Sequence, residues 1–270
     1  MKHGLGRACV ALGVLVFAVT ARAQISEVQA EQLMKLAGGW AQIASMAPSM
    51  RQAFKAGIAR PEAGLDDDQR AKLAAAAEAG FDTERMRQVA RRTLAEGVQS
   101  GYVPELLAWY RSEPGRVVTA AEEASSADEL RGDSEARVRA GIALLQAASP
   151  ERRALLNQVV EVTRAVPAGA DFVLNLGLAV QRSMARLNPK APPADEAKAR
   201  ADFDAQRPQL MQGLQVLSLA GVAVTYQGVP DATLAAYTRF MGGAAGDHIT
   251  DLSTRAFEAA LLDAFDRLGR

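Results

Sequence analysis

Apolar residues recur every three or four positions along most of the chain, which is the pattern of amphipathic α-helices. After residue 26, Val28, Leu33 and Leu36 form one such stripe, and Gly38 with Gly39 ends it. The alternation of period two that marks half-buried strands is missing, as are the Asn-Gly and Asp-Gly turns of β-hairpins. The sequence therefore predicts an all-α protein, a multi-helix bundle with short loops.

Two capping-box patterns predict where individual helices begin. In this pattern a serine precedes a Glu or Gln by three residues, so that each side chain caps the other's backbone amide. Ser26 with Gln29 and Ser126 with Glu129 both fit. The second pair predicts that one helix ends near Ser125 and that another begins after Ser126.

Two segments are strongly apolar, residues 171–187 and residues 208–227, and the second is apolar on nearly every side. Such helices are usually buried, so we expect both in the core, with Pro208 beginning the second. At about 20 residues the second could be confused with a membrane span. Several glutamines interrupt it, so the sequence favours a core helix and no transmembrane span. Residues 59–68 and the proline-rich residues 188–195 are interpreted as loops.

Residues 106–118 contain the most distinctive local pattern, Trp109-Tyr110-Arg111-Ser112-Glu113-Pro114-Gly115. A serine before an acid and a proline is typical of a helix start, since the hydroxyl accepts a free amide and proline has no amide to leave unpaired. We interpret Trp109 and Tyr110 as core packing, Ser112 as a helix cap, and Gly115 as the residue that lets two helices meet.

A degenerate copy of this pattern lies near the C-terminus. Placing Gly115 on Gly246 puts Trp109 on Phe240, whereas serine and proline have no counterparts in the second copy. A reaction centre would not tolerate that loss, but a structural corner would. The sequence therefore predicts an internal duplication, with an N-terminal helical half at residues 24–135 and a C-terminal half at residues 136–270, packed as one unit.

The aromatic, serine, proline and glycine pattern of residues 107–116 resembles the signature of the bacterial family called domain of unknown function 2059. Residues 240–246 resemble a second, eroded example. The chain departs from a strict serine-proline pair because Glu113 separates Ser112 from Pro114. Members are exported helical proteins of Gram-negative bacteria, so the resemblance implies a helical fold and a periplasmic location, but no reaction.

The first 23 residues fit an export signal. Lys2 and Arg7 precede an apolar run at residues 8–20, and Ala21-Arg22-Ala23 offers small residues for a signal peptidase. The run is too short for a bilayer span of about 20 residues. We expect cleavage before Gln24, which also removes Cys9, the chain's single cysteine, so no disulfides are expected.

Charge excludes one class of partner. The chain has 31 basic and 31 acidic residues, and the first 23 carry Lys2, Arg7 and Arg22 but no acid, which leaves a net charge of −3. Nucleic-acid binding needs a strongly basic surface, so we expect no nucleic-acid partner.

Catalytic chemistry has few candidates. His248 is the one histidine after residue 23, and no Gly-x-Ser-x-Gly elbow accompanies it, so an ion pair with Asp247 or Asp251 is preferred to catalysis. Glu122 and Glu123 are interpreted as solvated charges. Asp66, Asp67 and Asp68 resemble the start of a calcium loop. With Asp66 first, the required glycine and glutamate are absent; with Asp67 first, Glu78 fits but Lys72 replaces the glycine, which favours an acidic helix start. No catalytic, cofactor-binding or metal site is predicted.

We expect a non-catalytic periplasmic module that interacts with a protein or holds a ligand. One alternative is a carrier of an apolar ligand, a lipid or hydrophobic peptide. A carboxylate-based hydrolase is another, since two carboxylates a few ångströms apart leave no sequence signature. Met34, Met46, Met50 and Met86 could line an adaptable surface, although methionine at helical spacing is more often core filler.

Overall fold

A computed structural model describes residues 24–60, 66–129, 133–187 and 195–268, and these residues form twelve α-helices and no strand. The helices are α1 Glu27–Leu36, α2 Gly39–Ile58, α3 Asp67–Gly80, α4 Thr83–Gly97, α5 Val103–Arg111, α6 Glu113–Glu129, α7 Ser134–Ala147, α8 Pro150–Val162, α9 Ala165–Leu187, α10 Glu196–Thr225, α11 Asp231–Met241 and α12 Ala244–Leu268. The all-α multi-helix bundle predicted from the periodicity is confirmed. The predicted export signal and most of the proline-rich connection lie outside the described residues.

Polar side chains begin several helices where the sequence predicts them. Ser26 and Gln29 form the expected capping box at α1. Asp66 caps α3 by accepting the Gln69 amide, and Asp67 and Asp68 lie in the first helical turn. The three acids thus start a helix, as preferred over a calcium loop. No group of three potential metal-ligating side chains occurs in the described ranges.

Two predicted helix boundaries are wrong. Ser126 lies inside α6, which continues to Glu129, and Pro208 lies inside α10. A capping-box pattern also occurs by chance within a helix, where its amides are already bonded to backbone carbonyls. Proline costs α10 one hydrogen bond, to the carbonyl of Asp204, but Asp204 is exposed, so water can bond that carbonyl instead.

The last helix, α12, lies at the centre of the larger hydrophobic core. One face of it buries Ile249, Leu252, Ala256, Ala260 and Ala264. They pack with buried side chains from α1 to α5, and α12 contacts α3, α4 and α9. A second core joins α6, α8, α10 and α11. The C-terminal half therefore supplies the central helix of the N-terminal half's core, and the predicted boundary at 135/136 falls inside α7.

The expectation that residues 171–187 and 208–227 lie in the core holds for only part of each segment. Val173 of α9 is 44% exposed, and Val216 and Leu217 of α10 are 54% and 49% exposed. Within α10 the buried side chains are Ala220 and Ala223. Apolar composition predicted burial, but burial depends on neighbours, and only part of each helix surface has one. No helix in the described ranges has the length and apolar character needed to cross a membrane.

Small residues bring α7 and α10 close together. A Cβ added to Gly141 would lie 2.2 Å from the carbonyl oxygen of Ala220, so only glycine permits this backbone approach. The contact fixes α7 against the C-terminal part of α10.

The two halves place similar elements in the same order. A left-handed residue joins α1 to α2, Gly38 with φ 76°, and another joins α8 to α9, Arg164 with φ 51°. In the first half α3 and α4 follow, whereas in the second half the single helix α10 follows. Helix pairs α5–α6 and α11–α12 then close each half. This order supports an internal duplication, which stays a prediction.

Candidate functional site: a central cavity between two helix corners

The first corner, residues 109–115 between α5 and α6, depends on glycine and serine. A Cβ on Gly115 would lie 2.1 Å from the Trp109 carbonyl oxygen, so any larger residue would force the helices apart. Ser112 Oγ accepts the Gly115 amide at 3.1 Å and donates to the Trp109 carbonyl at 2.6 Å. Pro114 lies in the first turn of α6, where its missing amide costs no hydrogen bond.

The second corner, residues 240–246 between α11 and α12, repeats the backbone approach without the cap. A Cβ on Gly246 would lie 2.2 Å from the Phe240 carbonyl oxygen. The Asp247 amide donates to the Gly243 carbonyl at 2.8 Å, just as the Arg116 amide donates to the Ser112 carbonyl at 3.0 Å. Gly243 therefore occupies the position of Ser112 and offers no side-chain acceptor.

The two corners contact each other through their aromatic residues. The rings of Trp109 and Phe240 stack with centroids 4.6 Å apart and an interplanar angle of 9°. Tyr237 also stacks with Trp109, with ring centroids 6.1 Å apart, and Tyr110 meets Phe240 edge-on at 6.3 Å. Trp109 and Phe240, which align when Gly115 is placed on Gly246, are thus in direct contact. The aromatic residues of the pattern pack at the seam between the two halves.

A cavity of about 290 Å³ lies beside this aromatic stack. We call it the central cavity. Its walls come from both halves and are mostly apolar. The lining residues are Leu33, Met34, Ala37, Gly39, Gln42, Ile43, Ala90, Leu94, Tyr110, Glu122, Tyr237, Met241, Ile249, Thr250, Ser253, Thr254, Ala256 and Phe257.

Glu122 of α6 is the acidic member of this lining. Its Oε1 accepts hydrogen bonds from the hydroxyls of Tyr226 at 2.5 Å and Tyr237 at 3.1 Å. Burial raises the pKa of the Glu122 carboxyl, and the two tyrosine hydrogen bonds offset only part of that rise. The interpretation of Glu122 as a solvated charge is therefore wrong. Glu123, its neighbour, lies instead against the α1–α2 turn at Gly38.

Three tyrosines surround this carboxyl. Burial, with the nearby Glu122 charge as a further cause, raises the pKa values of Tyr110, Tyr226 and Tyr237. All three therefore remain neutral hydroxyls under ordinary conditions. Tyr226 and Tyr237 donate to Glu122, whereas the Tyr110 hydroxyl makes no hydrogen bond within the described part of the chain. The Tyr110 hydroxyl is thus available to a molecule in the cavity.

Polar side chains of α12 line another part of the wall. Thr250 Oγ1 donates to the Gly246 carbonyl at 2.9 Å, and Thr254 Oγ1 donates to the Thr250 carbonyl at 3.0 Å. Their hydroxyl hydrogens are thus used within the helix, while their oxygen lone pairs can still accept. Ser253 lies between them on the same wall.

Of the other sequence candidates, Met34 lines the central cavity and the rest lie elsewhere. His248 Nε2 accepts the Gln99 amide at 3.3 Å, outside the central cavity. Asp247 pairs with Arg164, and Asp251 pairs with Arg255 at 3.0 Å. The four methionines considered as a surface, Met34, Met46, Met50 and Met86, pack in or against the larger core, as expected of core filler.

The sequence did not predict the hydrogen bonds of Glu122, the part that Tyr226 plays in them, or the place of the cavity. One signal was present: Glu122 follows the buried Val118 by four residues and therefore lies on the same face of α6. An acid on an apolar helix face predicts a buried carboxyl. Tyr226 follows the long helix α10, and nothing local indicates that it meets α6.

Comparisons with protein-family models, curated proteins and solved structures found no match for this chain. The resemblance to the domain of unknown function 2059 family therefore rests on the corner motif alone.

Proposed function

We propose that the protein is an exported, non-catalytic module that holds a small, mainly apolar ligand in the central cavity. The observation that carries this proposal is a cavity at the seam of the two halves, with mostly apolar walls and one partly buried carboxyl. Ligand sites typically combine apolar walls with a few polar groups that fix orientation. The central cavity has this composition, with Glu122 and Tyr110 as its orienting groups.

The cavity volume suits a small molecule. An apolar protein cavity of about 150 Å³ admits benzene. At about 290 Å³, the central cavity offers room for a molecule with one ring and a short chain. A phospholipid or a long peptide would need a larger volume, so the proposal narrows the apolar-carrier hypothesis to small ligands.

The alternative of a two-carboxylate hydrolase has less support. Such enzymes hold two carboxyl groups about 5–9.5 Å apart across the bond they cleave. Among the described lining residues Glu122 is the single carboxyl, and Glu123 lies toward Gly38. A holding function needs just one polar anchor, which the cavity provides.

The proposal also includes location and ancestry. The export signal at residues 1–23 and the corner motif support a periplasmic protein related to the domain of unknown function 2059 family. The paired corners and the equivalent turns at Gly38 and Arg164 support descent by duplication. Both statements are part of the proposal.

Native mass spectrometry of protein purified gently from the periplasm tests the holding function. We expect a co-purified molecule, or restored binding after adding small aromatic probes to stripped protein. Ser253→Leu places three extra carbons on the cavity wall and should remove binding. Ser126→Leu, the same substitution on α6 away from the cavity, is the matched control. Equal binding by both variants, or no bound molecule and no probe binding in the unmodified protein, would refute the proposal.

A further inference from the structure

We propose that the ligand of the central cavity is a small organic cation, an apolar amine whose ammonium group pairs with Glu122. This inference rests on the proposed holding function and names its ligand class. It depends on three features of the cavity: an acid without a countercharge, acceptor atoms without donors, and aromatic walls.

The first feature is that Glu122 has hydrogen bonds but no cationic partner among the described residues. Tyr110 of α5, Tyr226 after α10 and Tyr237 of α11 face it with neutral hydroxyls. On its own helix the nearest charge is the like charge of Glu123. The polar lining from α2 and α12 consists of one glutamine, one serine and two threonines, all uncharged.

An ionised carboxylate in such surroundings is costly unless a cation accompanies it. Within the described lining no lysine, arginine or histidine is present to do so. A ligand ammonium would supply the missing charge from outside the protein. Binding and ionisation of Glu122 would then favour each other.

The second feature is a pair of unused acceptors. Both tyrosine hydrogen bonds go to Glu122 Oε1, and Oε2 accepts none from the described residues. The Tyr110 hydroxyl oxygen is also without a donor there. An ammonium group carries three N–H donors and no acceptor, so it matches these two oxygens. A ligand carboxylate could accept from the Tyr110 hydroxyl, but it would face the ionised Glu122 carboxylate with acceptors only and with a like charge.

The third feature is the aromatic wall. Tyr110, Tyr237 and Phe257 line the cavity together with Glu122. Aromatic rings attract cations through their negative faces, and proteins use such walls to recognise ammonium groups. The apolar side chains of Leu33, Ile43 and Leu94 remain to contact the hydrocarbon part of the ligand.

Three probes of nearly equal size separate this proposal from simple apolar binding: 2-phenylethylamine, 2-phenylethanol and 3-phenylpropionate. Calorimetric titration of the mature protein near pH 8 should show the amine binding at least about tenfold more tightly than the alcohol, and the carboxylate most weakly. Lowering the pH towards 4.5 should weaken amine binding, because Glu122 becomes protonated while the amine keeps its charge.

Glu122→Gln should reduce the preference for the amine to within about twofold and remove its pH dependence, while alcohol binding remains. Glu123→Gln is the matched control and should keep the preference. Should Glu122→Gln fail to fold by circular dichroism, the ranking and pH dependence in the unmodified protein still decide the question. Ser253→Leu should abolish amine binding. If this variant still bound the amine, the amine would bind at a site on the surface and the proposal would be overturned.

The outcomes distinguish the two proposals. If the alcohol binds as tightly as the amine and Ser253→Leu abolishes both, the cation inference is wrong and the holding function stands. If the carboxylate binds best, the inference is likewise wrong. If none of the probes binds and no molecule co-purifies, the holding function itself fails.

Discussion

The first and second corners share one backbone arrangement and differ in nearly every side chain. In both, a glycine approaches a carbonyl six residues earlier, at 2.1 Å for Gly115 and 2.2 Å for Gly246, measured to the added Cβ. The first corner has a serine cap and a proline, and the second has Gly243 and Ala245 at those positions. The glycine approach is therefore the requirement, and the capping chemistry adds a smaller increment of stability.

The largest expected effect comes from the shared glycines. Gly115→Ala and Gly246→Ala should each lower the free energy of unfolding by about 3 kcal/mol, because backbone atoms of a packed helix pair must move apart. Denaturant titration measures the loss. Gly177→Ala in α9, where an added Cβ meets nothing within 4 Å, is the control and should stabilise by up to about 1 kcal/mol. If either Gly115→Ala or Gly246→Ala left stability unchanged, the close backbone approaches at the two corners would not be equivalent.

The stacked rings should couple the corners to each other. Trp109→Leu and Phe240→Leu should each destabilise the protein, and together they should cost less than the sum, with a coupling free energy of about 1 kcal/mol. A double-mutant cycle in urea measures this coupling. Trp40→Leu combined with Phe240→Leu should be additive, since Trp40 packs against Arg87 and Lys35 instead. Additivity of the first pair would contradict coupling across the seam.

The position of Glu122 in the first half corresponds to Ser253 in the second, and both line the central cavity. Because burial raises the pKa of Glu122, the folded state binds a proton more tightly than the unfolded state does. Its contribution to stability is therefore present at low pH and lost as the pH rises from about 4.5 through the raised pKa. For a single proton, the free energy of unfolding can fall by at most about 1.4 kcal/mol for each pH unit.

Denaturant titration across this pH range tests whether Glu122, unlike Ser253, makes stability depend on pH. Relative to Glu122→Gln, the unmodified protein should lose stability as the pH rises, whereas Ser253→Ala should keep the unmodified protein's pH profile because serine does not titrate. Identical pH profiles for the unmodified protein and Glu122→Gln would show that Glu122 is solvated.

The smallest expected effect concerns the cap. Ser112→Ala should cost about 1 kcal/mol, since the Gly115 amide loses its acceptor. Gly243→Ser should change stability by only a few tenths of a kcal/mol, because glycine is itself an acceptable N-cap. Thermal unfolding measures the stability of both variants. Stability changes of equal size for Ser112→Ala and Gly243→Ser would contradict the conclusion that the serine cap stabilises only the first corner.

The sequence predicted the fold class and the corner because both depend on local patterns. Helical periodicity needs only neighbours three and four residues apart, and Ser112 caps a helix that begins beside it. Where the pattern was local but ambiguous, at Ser126 and Pro208, the prediction was wrong. At Ser126 the backbone amides are already bonded within α6, and at Pro208 the freed carbonyl of α10 is exposed to water, so neither short signal ends its helix.

Burial and the cavity depend on distant neighbours, which explains why the sequence did not predict them. Neighbouring helices cover only some of the apolar side chains in residues 171–187 and 208–227. Val173 and Val216 are therefore exposed. The alanines of α12 are weak apolar signals, yet their small size lets that helix sit among α3, α4 and α9. Glu122 meets Tyr226 from 104 residues away.

The position of α12 also governs when the fold can form. The larger core packs side chains of α1 to α5 around α12, so it remains incomplete until α12 has been synthesised. A chain whose core closes early would fold while its remainder was still being made. We therefore expect the side chains of α1 to α5 to stay loosely packed until α12 joins them, whereas the second core contains no residue of α12.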